Sequence, residues 1–182
     1  MGQKFAAWDA EGGRLVFYDS DDSPVPDGVT AIEVSDSQWM TCLKTPGYVI
    51  ANGVLVPPSD EYLLAAAKAA QFAAIDQACA AAVREPVTFK NAAGVSKTYA
   101  ADASSQATLI QAAQGYGISG DVPSGFFWGA ADGTNVPFTL GDLRDLNQAM
   151  LDQSWAASQK RKALKDRIDN AASVEDVQTI EW

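Results

Sequence analysis

A chain of 182 residues, 47% hydrophobic and 20% charged, can bury a proper core and fits one domain or two small ones. Its formal net charge of −10 sets it against phosphate backbones and anionic membrane surfaces, so neither nucleic acid nor a membrane is an expected partner. The complete absence of histidine removes Ser-His-Asp and Cys-His catalysis, the usual zinc sites and the commonest general base.

The chain opens on Met1-Gly2-Gln3-Lys4-Phe5 without an apolar run of signal-peptide length, and no stretch reaches the ~18 apolar residues of a membrane span. A protein made and kept in the cytosol is the expectation. Cys42 and Cys79 have no CxxC spacing and read as two small buried hydrophobes, and nothing in the sequence asks for a metal or another cofactor.

From Lys4 to Pro58 short apolar bursts alternate with turn formers, the pattern of small twisted β-structure. Leu15-Val16-Phe17-Tyr18, behind Gly12-Gly13, predicts the first clear strand. Asp19-Ser20-Asp21-Asp22-Ser23-Pro24 then breaks it as a surface turn, lacking the glycine and distal glutamate of a calcium loop. Thr30–Val34 predicts a second strand, and Ser35 caps a helix over Asp36–Leu43 in which Trp39 and Leu43 share a face toward the sheet. Asn52-Gly53 between two apolar runs is a strong hairpin signal.

Pro57-Pro58-Ser59 leads into an alanine-rich helix that runs to about Arg84, where Pro86 stops it. Leu64, Phe72, Ile75, Cys79 and Val83 form a narrow stripe on it, suited either to a helix pair or self-association through residues 59–84, or to a connector lying across its own domain. Val87–Lys90 and Val95–Tyr99 flank Asn91-Ala92-Ala93-Gly94 as a half-buried hairpin. Ser104 or Ser105 is placed to cap a helix ending near Gln114, after which Gly115, Gly117, Gly120, Pro123 and Gly125 predict a loop. Phe126-Phe127-Trp128 and Val136-Pro137-Phe138 predict a tight hairpin.

Thr139-Leu140-Gly141-Asp142 is a capping signal before a helix reaching about Asn170, with Leu143, Met150, Ala157, Leu164 and Ala171 recurring every seven residues. Polar Gln153 and Lys160 on the neighbouring seam argue against a continuous coiled coil, and the basic run Lys160–Arg167 reads as a solvated face. Ser173 starts a last short helix before Trp182. The expected fold is α+β: a small β-rich domain over 1–57, a long linking helix over 58–85, and a domain of short hairpins and helices over 86–182.

Tyr99-Ala100-Ala101-Asp102, Ser105-Gln106 with Leu109-Ile110, Phe127-Trp128 with Ala131-Asp132-Gly133, and Val136–Thr139 leading into Leu143 and Leu146 occur in a familiar order. Together with Ala163–Ala172 and Val177, Ile180 and Trp182 they resemble the uncharacterised domain that recurs in tail-fibre-associated proteins of tailed bacteriophages. Phe17-Tyr18, Ile32-Glu33-Val34, Trp39 and Asn52-Gly53 are similar to the small leading domain of phage tail-fibre assembly proteins. The resemblance implies an accessory protein that helps a trimeric tail fibre fold or caps its tip, in the host bacterial cytoplasm during assembly and in some phages afterwards on the virion tail.

Protein binding, not catalysis, is therefore the expected activity, a virion component that contacts the host surface being the alternative. Trp8, Trp39, Trp128, Trp155 and Trp182 are the interface candidates, and Phe127, Trp128, Trp39 and Trp182 are favoured for the partner-binding role. Each tryptophan also has a plain reading as a core residue. A glycosidase-like carboxylate pair would have to use residues such as Asp132 and Asp142, which turn and cap chemistry already explain.

Overall fold

The computed structural model describes residues 2–8 and 14–182 and shows an α+β fold. It divides into two compact units, 1–67 and 68–182. Gly12-Gly13, expected to lead into the first strand, lies outside the described residues.

In the first unit β1 (Lys4–Trp8), β2 (Leu15–Asp19) and β3 (Ala31–Val34) form an antiparallel sheet in the order β2-β1-β3. The central strand, β1, was not singled out by the sequence pattern, because its Phe-Ala-Ala-Trp run carries two alanines of low strand propensity. Both Ala6 and Ala7 are fully buried, so the strand serves as a slim centre on which larger neighbours close. Lys4 stands directly opposite Asp19 in register and forms an ion pair with it. The same carboxylate accepts the Asp21 N–H at 2.9 Å, which starts the expected turn.

Helix α1 (Asp36–Lys44) begins with a reciprocal cap between Ser35 and Gln38. Trp39 packs on Phe17 with ring centroids 5.6 Å apart, and the Lys4 ammonium lies 4.7 Å from its ring centre. Leu43 does not join it: at 59% exposure it faces water, and Cys42, on the other flank of Trp39, is the buried residue. The hairpin β4 (Val49–Ala51) and β5 (Val54–Val56) turns through Asn52 and Gly53, both at positive φ as a two-residue turn requires.

Helix α2 (Asp60–Ala82) begins with the Tyr62 N–H donating to Ser59 Oγ. The boundary between the units falls inside this helix. Its later stripe is covered within the chain: Ile75 clusters with Leu164, Ile168 and Ile180, and Phe72 and Trp182 pack around them. An intrachain helix pair thus occupies the Phe72 and Ile75 part of the stripe.

The second unit continues with β6 (Val87–Lys90), β7 (Ser96–Tyr99), α3 (Ala103–Ser119), β8 (Phe127–Gly129), β9 (Asn135–Pro137), α4 (Leu140–Asn170) and α5 (Val174–Gln178). Leu143, Met150, Ala157 and Leu164 are all buried, as the seven-residue repeat predicts, whereas its fifth member, Ala171, is only half-buried and caps the end of the helix. The first two join Tyr99, Leu109, Val136 and Phe138 in the larger core, whereas Leu164 belongs to the cluster with Ile75. The polar seam between these clusters has its own function. Gln153 donates to the carbonyls of Ala82 and Glu85, and Gln106 donates to Val83, satisfying the end of a helix that has no basic residue in its last turn.

The structure corrects three further expectations. Asp102, not Ser104 or Ser105, caps α3, accepting both serines' N–H groups and hydroxyls. Those bonds, the Ser104 hydroxyl's first, hold its pKa well below the usual carboxylate range. The helix also runs past Gln114 through Gly115 and Gly117 to Ser119. Each glycine costs about 1 kcal/mol against alanine, offset by Tyr116 packing edge-on to Phe126 with centroids 5.2 Å apart. Finally, the basic run is not merely solvated: Arg161 and Lys165 both hold Asp76 of α2, at 2.5 and 2.7 Å, and Lys160 covers the Trp182 ring.

Tyr99 is fully buried, and its hydroxyl has no hydrogen-bond partner among the described residues. Burial, followed by the charges of Asp142 and Asp132, raises its pKa. Tyr99→Phe should therefore stabilise the protein by about 1 kcal/mol in urea unfolding at neutral pH, because it removes an unsatisfied buried group. With a raised folded pKa, the wild-type contribution from ionisation is present below about pH 10 and is lost as pH rises through the folded value. The variant's gain should consequently widen in alkali, and a loss of stability would show that the hydroxyl is satisfied.

Candidate functional site

The expected interface residues do not form one patch. Trp39 is half-buried on the first unit's sheet. Trp182 is half-buried against the Ile75 cluster. Phe127 and Trp128 are neighbours on β8 and alternate across it: Phe127 is 53% exposed, and Trp128 is half-buried, tilted onto Phe126 at 6.4 Å. Trp128 also lines a cleft of about 280 Å³ with Ser104, Ser105 and Thr108.

Both candidate acids are engaged in turn and cap contacts. Asp132 binds the Lys97 ammonium at 2.7 Å and accepts the Thr134 N–H within its own turn. These partners, Lys97 first, hold its carboxyl well below the usual range. Asp142, 3% exposed, accepts the N–H of Ala92 at 2.7 Å, the N–H of Thr139 at 2.8 Å and the Thr139 hydroxyl at 2.7 Å. Burial pushes its pKa up, but those hydrogen bonds outweigh it and the net shift is downward. Among the described residues no group of three or more Asp, Glu or Cys side chains is arranged to hold a metal.

Two surfaces were not assembled by the sequence reading, although Trp155 and Trp8, one from each, are among its interface candidates. The first is on α4, where Leu151 and Trp155, four residues apart on one face, are 52% and 66% exposed. Their position was legible: Trp155 is five residues beyond Met150, about 140° around the helix from the buried seven-residue stripe.

The second is a cavity of about 520 Å³ in the first unit. Its aromatic lining comes from Trp8 at the end of β1, Phe17 of β2, Tyr48 before β4 and Tyr62 in the first turn of α2. Cys42 of α1 and Val49 of β4 add apolar surface, and Arg14 adds a guanidinium. Cys42 is a free thiol whose pKa is raised by burial, so it is an inert wall group. At Gly47, φ is +100°, and any Cβ there would overlap the Tyr62 ring. The glycine thereby sets how closely the hairpin approach and the helix start stand across the cavity. Four rings from four separate segments could not be read as one site from linear spacing.

No curated protein and no solved structure matches the chain. The segment matched by a family model, residues 66–181, coincides closely with the compact unit 68–182 and contains both of its clusters and the complete α4. This match covers more than half of the sequence, and the chain belongs to the family described as a domain of unknown function, DUF4376.

Proposed function

We propose that the protein is an assembly factor for a phage tail fibre, acting by protein-protein binding to help the fibre fold or to cap its tip. The observation that carries this reading is the amount of accessible aromatic surface on a strongly acidic chain: the four-ring cavity, Phe127, and the Leu151–Trp155 face. Aromatic side chains supply most binding energy in protein interfaces, and a high net charge keeps such a surface soluble before its partner arrives. The sequence resemblance supplies the identity of the partner. On this reading the protein works in the host cytoplasm while fibres assemble and can remain on the virion tail.

The test is co-expression with the tail fibre encoded beside it, followed by size-exclusion chromatography with light scattering. A soluble fibre in a complex of defined mass is the expected result. Trp155→Ala and Phe127→Ala, both at exposed positions, should each weaken the complex at least tenfold if their surface is the interface, without lowering the stability of the free protein by more than about 0.5 kcal/mol. A fibre that folds equally well alone would sink the assembly role; binding to host cells without the fibre would then favour a virion component that touches the host surface.

A further inference from the structure

The cavity of the first unit has a chemistry more specific than a greasy surface. Residues 1–67 contain ten acidic and three basic side chains, so the unit as a whole repels anions. Of the three cations, Lys4 is tied to Asp19, and Lys44 sits in the last turn of α1, where it opposes the helix's negative end. Arg14 is the one that lines the cavity, and it forms no ion pair with any carboxylate among the described residues. A guanidinium presents a rigid fork of donors matched to a carboxylate. The four rings around it offer faces to an apolar or aromatic group, while their acidic surroundings disfavour any anion not placed at Arg14.

Resting on the assembly reading for its partner, we infer that this cavity is a binding site for an apolar side chain carried beside a carboxylate on the partner polypeptide. The apolar group enters among Trp8, Phe17, Tyr48 and Tyr62, and the carboxylate accepts hydrogen bonds from Arg14. Its volume of about 520 Å³ lies within the range of sites that enclose small ligands. One anchored residue of this kind gives specificity that the open Leu151–Trp155 face lacks, because a buried apolar group with the wrong charge beside it leaves the guanidinium unpaired.

The experiment uses the full ¹⁵N-labelled chain and two probes of equal shape, 3-phenylpropionate and its neutral amide. Titration of each should shift the amides of Cys42, Gly47, Tyr48 and Tyr62, with the acid binding about five- to tenfold more tightly than the amide. Arg14→Gln, a change at an exposed position, should bring the two affinities to within about twofold of each other, and Arg14→Lys should restore part of the difference. Val49→Asp, which adds a carboxylate to the cavity lining, should abolish binding of the acid and spare the amide. Equal affinity for acid and amide in the wild type, perturbations that map elsewhere, or preference for a neutral sugar such as methyl glucoside would overturn the inference. Arg14→Gln in the fibre co-expression keeps this separate from the assembly reading. A fibre that still forms the full-strength complex would overturn the cavity's partner role and leave the assembly reading standing, and a fibre that needs no partner at all would sink that reading whatever the probes do.

Discussion

Ile168→Ala should destabilise the 68–182 unit by about 3 to 4 kcal/mol, read as a lower urea midpoint with an unchanged slope. Ile168 is fully buried, in one cluster with Ile75, Leu164 and Ile180, and removing three carbons from such a site costs the transfer term plus an unfilled cavity. The same variant tests where the helices pair. Since the Ile75 stripe meets α4 of its own chain, unfolding of wild type and variant should not depend on protein concentration, and light scattering should give the same mass for both. A midpoint that rises with concentration would place the pairing between chains.

Much of the fold was legible because its signals are local. Thr139 and Asp142 form the expected capping box, and the seven-residue repeat from Leu143 to Leu164 is buried throughout. Asn52-Gly53 turns as its dipeptide predicts, and Pro86 follows the end of α2. The failures share a cause. Asp102 outcompeted Ser104 and Ser105 as a cap because one carboxylate can take both N–H groups and both hydroxyls, a geometry that residue ranking does not contain. β1 was missed because its two alanines are chosen for close packing at the sheet centre, where tertiary fit overrides propensity. The basic run looked solvated because Asp76 is 85 residues from Arg161 in sequence. The cavity was illegible for the same reason, its four rings being drawn from positions 8 to 62.

Asp142→Ala should cost about 2 to 3 kcal/mol at neutral pH, and the loss should shrink in acid. The carboxylate joins two elements: it completes the cap at the start of α4 and holds the Ala92 N–H in the β6-β7 turn. Asn91 of that turn is itself buried and donates to the Pro137 carbonyl, so the turn is fastened to the strand end just before α4. Loss of a cap costs about 1 kcal/mol, and stranding partly buried donors adds about 1 to 2 more. Because its hydrogen bonds lower the folded pKa of Asp142 despite burial, its ionisation stabilises the folded state above the unfolded carboxylate value of about 3.9. That contribution is lost as pH falls through the folded value. Wild type should therefore lose stability in acid more steeply than Asp142→Ala, and the gap between the two curves should narrow there. Asp142→Asn, which keeps the shape and one acceptor but not the charge, should retain part of the neutral-pH stability and lose the extra acid dependence. Parallel wild-type and Asp142→Ala curves would mean that the carboxylate's charge contributes nothing to the fold, and the stabilising role would then rest on its shape alone.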